Sequence, residues 1–205
     1  MIEEIHLELT SRCMLQCPKC PRTIYRGRYD IGDLDYNLYT EFVTEWDPKV
    51  INFCGNLGDP IYHPQFIDFV TYAHSINKPF LLSTAGYGKK TDWWEEFYNS
   101  YEHGEVRFGL DGLEDTAHLY RVGTEFQQVF DAMCMGAKQG KRIIWQWIPF
   151  SFNEHQVAQA KQMAQDNNII LEVRVSSRFE GPEDPLRPTL EEYQLGYQPK
   201  VSPRR

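Results

Sequence analysis

The stretch Ile5-His6-Leu7-Glu8-Leu9-Thr10-Ser11-Arg12-Cys13-Met14-Leu15-Gln16-Cys17-Pro18-Lys19-Cys20-Pro21-Arg22 is the most informative in the chain. Its opening, residues 5–10, predicts a strand. Ile5, Leu7 and Leu9 alternate with His6, Glu8 and Thr10, the period of a pleated segment. Directly after it come Cys13, Cys17 and Cys20, spaced Cys-x3-Cys-x2-Cys. Three thiolates on one tight loop can hold three irons of a cubane cluster, which leaves the fourth iron free for another ligand. Pro18 and Pro21 stiffen that loop. A structural zinc site is the competing reading. It wants four protein ligands, and His6, Cys54 or His63 would have to supply the last, although no paired motif does so. The chain has 5 cysteines. An odd count with no secretion signal makes a poor disulfide framework and favours metal or redox chemistry.

Outward from this loop, short apolar or alternating runs recur at residues 50–54, 80–83, 106–110, 143–148 and 169–175, most of them flanked by turn residues. Helical stripes fill the gaps. Leu38, Phe42, Val43 and Trp46 share one helical face; Phe66, Phe69, Val70 and Ala73 share another. Trp93, Trp94, Phe97 and Tyr101 suggest a third helix. Phe126, Val129, Phe130, Met133 and Ala137 form a fourth stripe, with Thr124 and Gln127 spaced as a capping box and Gly140 as a stop. Val157, Ala160, Lys161 and Ala164 fall in a fifth, where Asn153 and Gln156 repeat the capping spacing. Strand–helix alternation predicts an α/β fold, a parallel sheet with helices outside it. About six strands is too few for a closed eight-stranded barrel, and a doubly wound sheet would give the same alternation.

The chain is 205 residues long, with 41% hydrophobic and 14% aromatic residues. That suits one sizeable packed domain. A formal net charge of −8 argues against a broad phosphate-binding surface, although Arg22, Arg26, Arg28, Lys89 and Lys90 could line a local basic path. No apolar run reaches the ~20 residues of a membrane helix. The opening Met1-Ile2-Glu3-Glu4 lacks a signal-peptide pattern, so a cytoplasmic location is expected. Residues 1–178 are expected to form the main domain. Residues 179–205, rich in proline, are expected to form a tail or strap with one short helix near residues 190–195.

The three-cysteine spacing after the first strand resembles the radical S-adenosylmethionine (radical SAM) superfamily. That resemblance implies a partial (β/α)6 barrel with mostly parallel strands and helices outside. It implies a [4Fe–4S] cluster held by Cys13, Cys17 and Cys20, with S-adenosylmethionine (SAM) on the fourth iron. It implies an enzyme that reductively cleaves SAM to methionine and a 5′-deoxyadenosyl radical, which removes a hydrogen atom from a substrate. An external one-electron donor such as a flavodoxin or ferredoxin is implied with it. The superfamily often has an aromatic residue before its third cysteine, beside the adenine; here that residue is Lys19. The Cys-Pro-x-Cys-Pro-Arg form is similar to the subgroup that carries SPASM or twitch extensions. No cysteine follows Cys134, so one cluster is expected.

Further segments resemble superfamily motifs. Gly55-Asn56-Leu57-Gly58-Asp59-Pro60 is similar to the Gly-Gly-Glu-Pro segment that receives the SAM ammonium, which assigns Gly58 and Asp59 to cofactor binding. Gly109-Leu110-Asp111-Gly112 with Arg121 is similar to a Ser-Leu-Asp-Gly pattern with a downstream arginine, which assigns Asp111 and Arg121 to SAM contacts. Ser83-Thr84-Ala85-Gly86 resembles Ser-Thr-Asn-Gly and adds Ser83. Gln146 is placed to face the barrel interior or to be a buried, satisfied amide. Cys54 either sees the site or is a small buried hydrophobe, and Cys134 reads as core. Trp145 and Trp147 read as packing, although their shared strand face could line a cavity. The expected substrate is a peptide or protein segment entering an open barrel. A small metabolite, a nucleic acid, or a zinc-binding interaction module without enzymatic activity are the alternatives.

Overall fold

The computed structural model describes residues 2–194. Six strands, β1 (Glu4–Glu8), β2 (Val50–Cys54), β3 (Phe80–Thr84), β4 (Gly104–Gly109), β5 (Arg142–Trp147) and β6 (Ile170–Val173), form one sheet in sequential order. Every neighbouring pair is parallel. Sequential order decides between the two architectures that alternation alone leaves open. A doubly wound sheet reverses its strand order at a switch point. Here the order never reverses, so successive right-handed crossovers stack helices on one face. Strands β1 and β6 are not paired to each other and form the two edges of an open, partial barrel.

The crossovers run through α2 (Tyr36–Trp46), α3 (Phe66–Ser75), α4 (Thr91–Asn99), α6 (Phe126–Lys138) and α7 (Val157–Asp166); two single-turn helices, α1 (Pro21–Ile24) and α5 (Ala117–Tyr120), sit above the sheet. Asp35 caps α2 by accepting from the N–H groups of Asn37 and Leu38. Left-handed residues end several helices: Asp47, Asn77 and Asn168, at φ of 43°, 56° and 55°, and Gly140 at 74°. Asn, Asp and Gly tolerate that conformation best. No described helix is long and apolar enough to cross a membrane.

One face of every strand feeds a single core with the helices. Ile51, Phe53, Phe80, Leu82, Val106, Phe108, Ile143, Trp145 and Trp147 are all buried there. Truncating one such aromatic to alanine costs roughly 3–5 kcal/mol. Trp145 Nε1 donates to the Leu110 carbonyl at 2.7 Å, and Trp145 and Trp147 are both buried in this core, on the opposite face of β5 from Gln146. The alternate strand residues face the concave side and are largely polar: His6, Glu8, Asn52, Ser83, Glu105, Arg107, Gln146 and Glu172. A closed barrel packs such positions with branched apolar layers; this open one does not.

Local expectations differ in places. On α2 the buried residues are Tyr39 and Val43, while Leu38, Phe42 and Trp46 are exposed. The helix is rotated so that Tyr39 packs on Phe69, with ring centroids 4.6 Å apart, and its hydroxyl donates to the Phe69 carbonyl at 3.0 Å. Neither capping box forms. Glu125 precedes α6 without a side-chain cap, and Gln127 donates to Asp131 instead. Asn153 folds back on its own loop, accepting from Phe150 N–H at 2.6 Å. Strand β1 stops at Glu8 because the Leu9 carbonyl accepts from Leu34 and Thr10 bridges to Asp33. Beyond β6, a 3-10 turn spans Glu191–Tyr193 where a short helix was expected. Leu195, Pro199 and Pro203 lie outside the described residues.

Candidate active site around the cysteine loop

The loop after β1 is fixed from several directions. Ser11 N–H donates to Gly32 O at 3.0 Å and Gly32 N–H returns to Ser11 Oγ at 2.8 Å. Arg12 Nε pairs with Asp33 at 3.1 Å. Arg22 Nη1 reaches Ser11 O at 2.5 Å, and Gln16 N–H bonds Val122 O at 3.0 Å. Cys20 caps α1, with Pro21 at its first position, where a missing N–H costs nothing. Leu15 N–H points at Cys13 Sγ, 3.4 Å away.

The three sulfurs share one cavity of about 280 Å³. The turn after β2, the end of β3 and the end of β4 form its other walls, through Gly55, Asn56, Gly58, Asp59, Ser83, Thr84, Ala85 and Gly109. Gly58 lets the turn meet the cysteine loop: a Cβ there would sit 1.8 Å from Thr10 O, and Asp59 N–H donates to Arg12 O at 2.9 Å. Glu8 holds the same turn by accepting from the N–H groups of Leu57 and Gly58.

Asp59 lies on the wall but is only 5% exposed. Its carboxylate accepts from Thr84 Oγ1 at 2.8 and 3.0 Å and from Ala85 N–H at 2.8 Å. Burial raises its pKa, and those donors oppose the rise. Arg121 closes the opposite wall. Its Nε donates to Asp111 Oδ2 at 2.6 Å, while Asp111 Oδ1 accepts from Ile148 N–H at 2.7 Å. Asp111 is fully buried and stands behind Arg121 as its support. A Cβ at Gly109 would lie 2.5 Å from Arg121 Nη2; glycine there is the clearance that lets the guanidinium cross β4.

Burial pushes the Cys13 thiol up to about 12, and the neighbouring Asp59 carboxylate adds to the effect. Burial also raises Cys17, opposed in part by the Arg121 guanidinium. A metal binding there must displace protons. Among the described residues no three His, Cys, Asp or Glu side chains converge on a point suited to one metal ion. Zinc needs its ligands within about 2.3 Å of a single centre, whereas a cubane takes each thiolate on a different iron. Three thiols on one cavity wall are a donor set that could serve a cubane and leave one iron open. His63 is unsuited as a fourth zinc ligand: Nε2 faces Leu34 O at 2.9 Å, and Nδ1 accepts from Gln65 N–H at 3.1 Å. Cys54 is half-buried at the end of β2 and Cys134 lies on α6, its Sγ 3.4 Å from Asn167 Oδ1; neither lines the cavity.

Lys19 does not line it either. Its ammonium is 2.8 Å from both Glu180 and Asp184, and its carbonyl accepts from Arg178 Nη1 at 3.4 Å. The residue in the aromatic position therefore ties the cysteine loop to the strap that follows β6. Phe179 and Leu186 of that strap join Leu15, Cys17, Tyr120 and Phe150 in a second apolar cluster. Arg178, just before the strap, reaches the cavity wall, and no described residue after it lines that cavity, so the strap flanks the mouth. Arg107 and Arg178 are wall residues that motif reading misses. Arg107 was accessible from the strand alternation that selects Gln146, since it points the same way as Gly109. Arg178 has no local signal, being 159 residues from its Lys19 partner.

No protein-family model matches the chain. Over 86 residues it is 36% identical to the tungsten-containing aldehyde ferredoxin oxidoreductase cofactor-modifying protein of Pyrococcus furiosus, a match covering 40% of this chain and 23% of that protein. Among solved structures, SuiB of Streptococcus suis bound to precursor peptide SuiA is similar with a TM-score of 0.71 at 13% identity, over 84% of this chain and 39% of SuiB. The structure of anSMEcpe with bound AdoMet and Cp18Cys peptide gives 0.64 at 16%, over 84% and 50%. Methylornithine synthase (PylB) gives 0.60 at 13%, over 84% and 53%. The likeness to these structures is one of fold. The chain spans 23% of the curated relative and between 39% and 53% of these solved structures. Its fold is the partial (β/α)6 barrel that the resemblance to the radical SAM superfamily implies.

Proposed function

We propose that this chain is a radical SAM enzyme domain that holds one [4Fe–4S] cluster on Cys13, Cys17 and Cys20 and acts on a peptide or protein segment. The carrying observation is that these three cysteines share a single cavity with Gly58, Asp59, Ser83 and Arg121, residues drawn from the loop after β1, the turn after β2, the end of β3 and the end of α5. When bound, the cluster and SAM supply reductive cleavage of the sulfonium and a radical able to take a hydrogen atom.

The chain's own residues then have the following work. Asp59, oriented by Thr84 and Ala85, receives the SAM ammonium. Arg121, oriented by Asp111, offers a guanidinium to the SAM carboxylate, so Asp111 is a positioning residue. Ser83 and the Gly58 backbone complete the contact surface. Leu15, Tyr120 and Phe150 exclude water from one side of the loop. Strands β1 and β6 are unpaired edges rather than partners, and a chain segment would reach the barrel between them. The bound peptides of SuiB and anSMEcpe support the same substrate class.

Anaerobic reconstitution tests the reading. About four irons per chain are expected, with loss of the cluster in Cys13→Ala, Cys17→Ala or Cys20→Ala and retention in Cys54→Ala and Cys134→Ala. With a reductant, SAM should yield 5′-deoxyadenosine, stimulated more by a peptide-rich macromolecular fraction than by a low-molecular-weight filtrate. Tight zinc without iron uptake would overturn the assignment. Equal stimulation by the filtrate would replace the peptide with a metabolite.

A further inference from the structure

Arg107 projects from β4 on the concave side, two residues before Gly109. At about 3.3 Å per strand residue, it lies roughly 7 Å deeper in the barrel than the point where Arg121 crosses. Its side chain is 25% exposed and lines the cavity. Nε is committed to Glu105 Oε1 at 2.5 Å, and the other oxygen of Glu105 is taken by Arg142. The two terminal nitrogens of Arg107 have no hydrogen-bond acceptor among the described residues. The other concave carboxylates make their hydrogen bonds elsewhere: Glu4 with His6 and Asn52, Glu8 with the N–H groups of Leu57 and Gly58, and Glu172 with Arg174 and Gln146; the Arg107 charge adds to what lowers the pKa of Glu4 and Glu172 without bonding either.

The cavity wall carries Arg107, Arg121 and Arg178 and one carboxylate, Asp59. Arg121 is paired with Asp111 and Arg107 with Glu105, so what Arg107 offers a ligand is the unengaged end of its fork. A partly buried guanidinium fork whose terminal N–H groups have no acceptor among the described residues matches a carboxylate in bidentate fashion. Gln146, level with Gly109 on the neighbouring strand, donates through Nε2 to Glu172 and keeps its carbonyl oxygen free for an N–H donor.

We propose that Arg107 is the specificity-determining residue of the substrate site and that it selects a peptide carboxylate, from an acidic side chain or a chain terminus, with Gln146 accepting a nearby peptide N–H. This rests on the reading above, in which SAM occupies the strand ends and the substrate meets it from the barrel side. No motif marks Arg107; its role follows from its depth and its half-satisfied guanidinium.

The test uses reconstituted, SAM-bound protein and equilibrium dialysis of radiolabelled pentapeptides, acetyl-Gly-Ala-X-Ala-Gly-amide with X as Glu, Gln or Lys, plus the Gln peptide with a free terminal carboxylate. Wild type should bind the Glu peptide or the free-acid peptide about ten- to a hundredfold more tightly than the amidated Gln peptide, and which of the two identifies the carboxylate's source. Arg107→Gln should abolish that preference. Arg107→Glu should reverse it toward the Lys peptide, a gain that misfolding cannot produce. Equal affinities in wild type, a preference surviving in Arg107→Gln, or no binding of any acidic peptide at millimolar concentration would each overturn the inference. Formation of 5′-deoxyadenosine is followed in parallel. A chain that selects acidic peptides through Arg107 yet never cleaves SAM would overturn the proposed reaction alone, and SAM cleavage with indifference to peptide charge would overturn this inference alone.

Discussion

Replacing Gly109 with alanine adds one methyl group at the most crowded point of the cavity wall. That carbon would lie 2.5 Å from Nη2 and 3.0 Å from Cζ of Arg121. Unstrained contact needs about 3.5 Å, so the guanidinium must retreat by about 1 Å. Its bond from Nε to Asp111 is 2.6 Å long, and a retreat of that size takes it past hydrogen-bonding range. Asp111 has no exposure and cannot turn to water. Losing a charge-assisted bond costs roughly 1.5–3 kcal/mol. The stiffer unfolded chain offsets about 0.4–1 kcal/mol of that. Gly109→Ala should therefore destabilise the fold by about 1–2 kcal/mol. Urea unfolding followed by tryptophan fluorescence measures it without cluster or cofactor. In an Arg121→Gln background the clash disappears, and the same alanine should be neutral or slightly stabilising. The double-mutant cycle isolates the coupling. A cost below about 0.5 kcal/mol in the wild-type background, within the scatter of ordinary surface substitutions, would refute the clearance argument, and so would an equal cost in both backgrounds.

Asp59→Asn and Arg121→Gln should each weaken SAM affinity by roughly 1.5–3 kcal/mol while iron content stays intact; unchanged dissociation constants in both would show that these residues do not meet SAM. The strap should respond to pH through Lys19 and Asp184. Burial alone would raise Asp184, but the Lys19 ammonium and the N–H groups of Glu180 and Leu186 outweigh it and hold its pKa below the usual value. That contribution is present above the unfolded carboxyl pKa of about 3.9 and fades as pH falls through the lower folded value. Lys19 is raised by its bonds to Asp184 and Glu180, so its share persists up to about pH 10. Hydrogen exchange in residues 178–190 should stay flat from about pH 5 to 10 after correction for intrinsic rate, then rise in acid. Asp184→Asn should exchange faster throughout and lose the acid limb; an unchanged profile would mean the ion pairs do not hold the strap.

Much of this architecture is legible from short-range pattern. The strand–helix alternation finds all six strands, because each crossover is local and each strand is short. It cannot choose between barrel and doubly wound sheet, since strand order depends on which neighbours pair. The cysteine loop is legible because its three cysteines lie within eight consecutive residues. Asp59 and Arg121, singled out by likeness to motifs, both line the cavity, yet the support each receives from Thr84 and Asp111 is a tertiary fact. The α2 stripe misleads because Leu38, Phe42 and Trp46 repeat at the same interval as Tyr39 and Val43; hydrophobicity alone does not say which of two adjacent stripes faces inward. Lys19 breaks a family pattern in sequence, and its reason lies 165 residues away at Asp184.

That last separation sets a clock during synthesis. The cysteine loop is made near the start, and its fastening at Asp184 arrives 165 residues later. At translation rates of 5–20 residues per second, a growing chain carries the loop for roughly 8–33 s before the strap can engage it. For that interval the three thiols face solvent with one flank uncovered. Phe179 and Leu186 cover that flank of the loop only once the fastening is made.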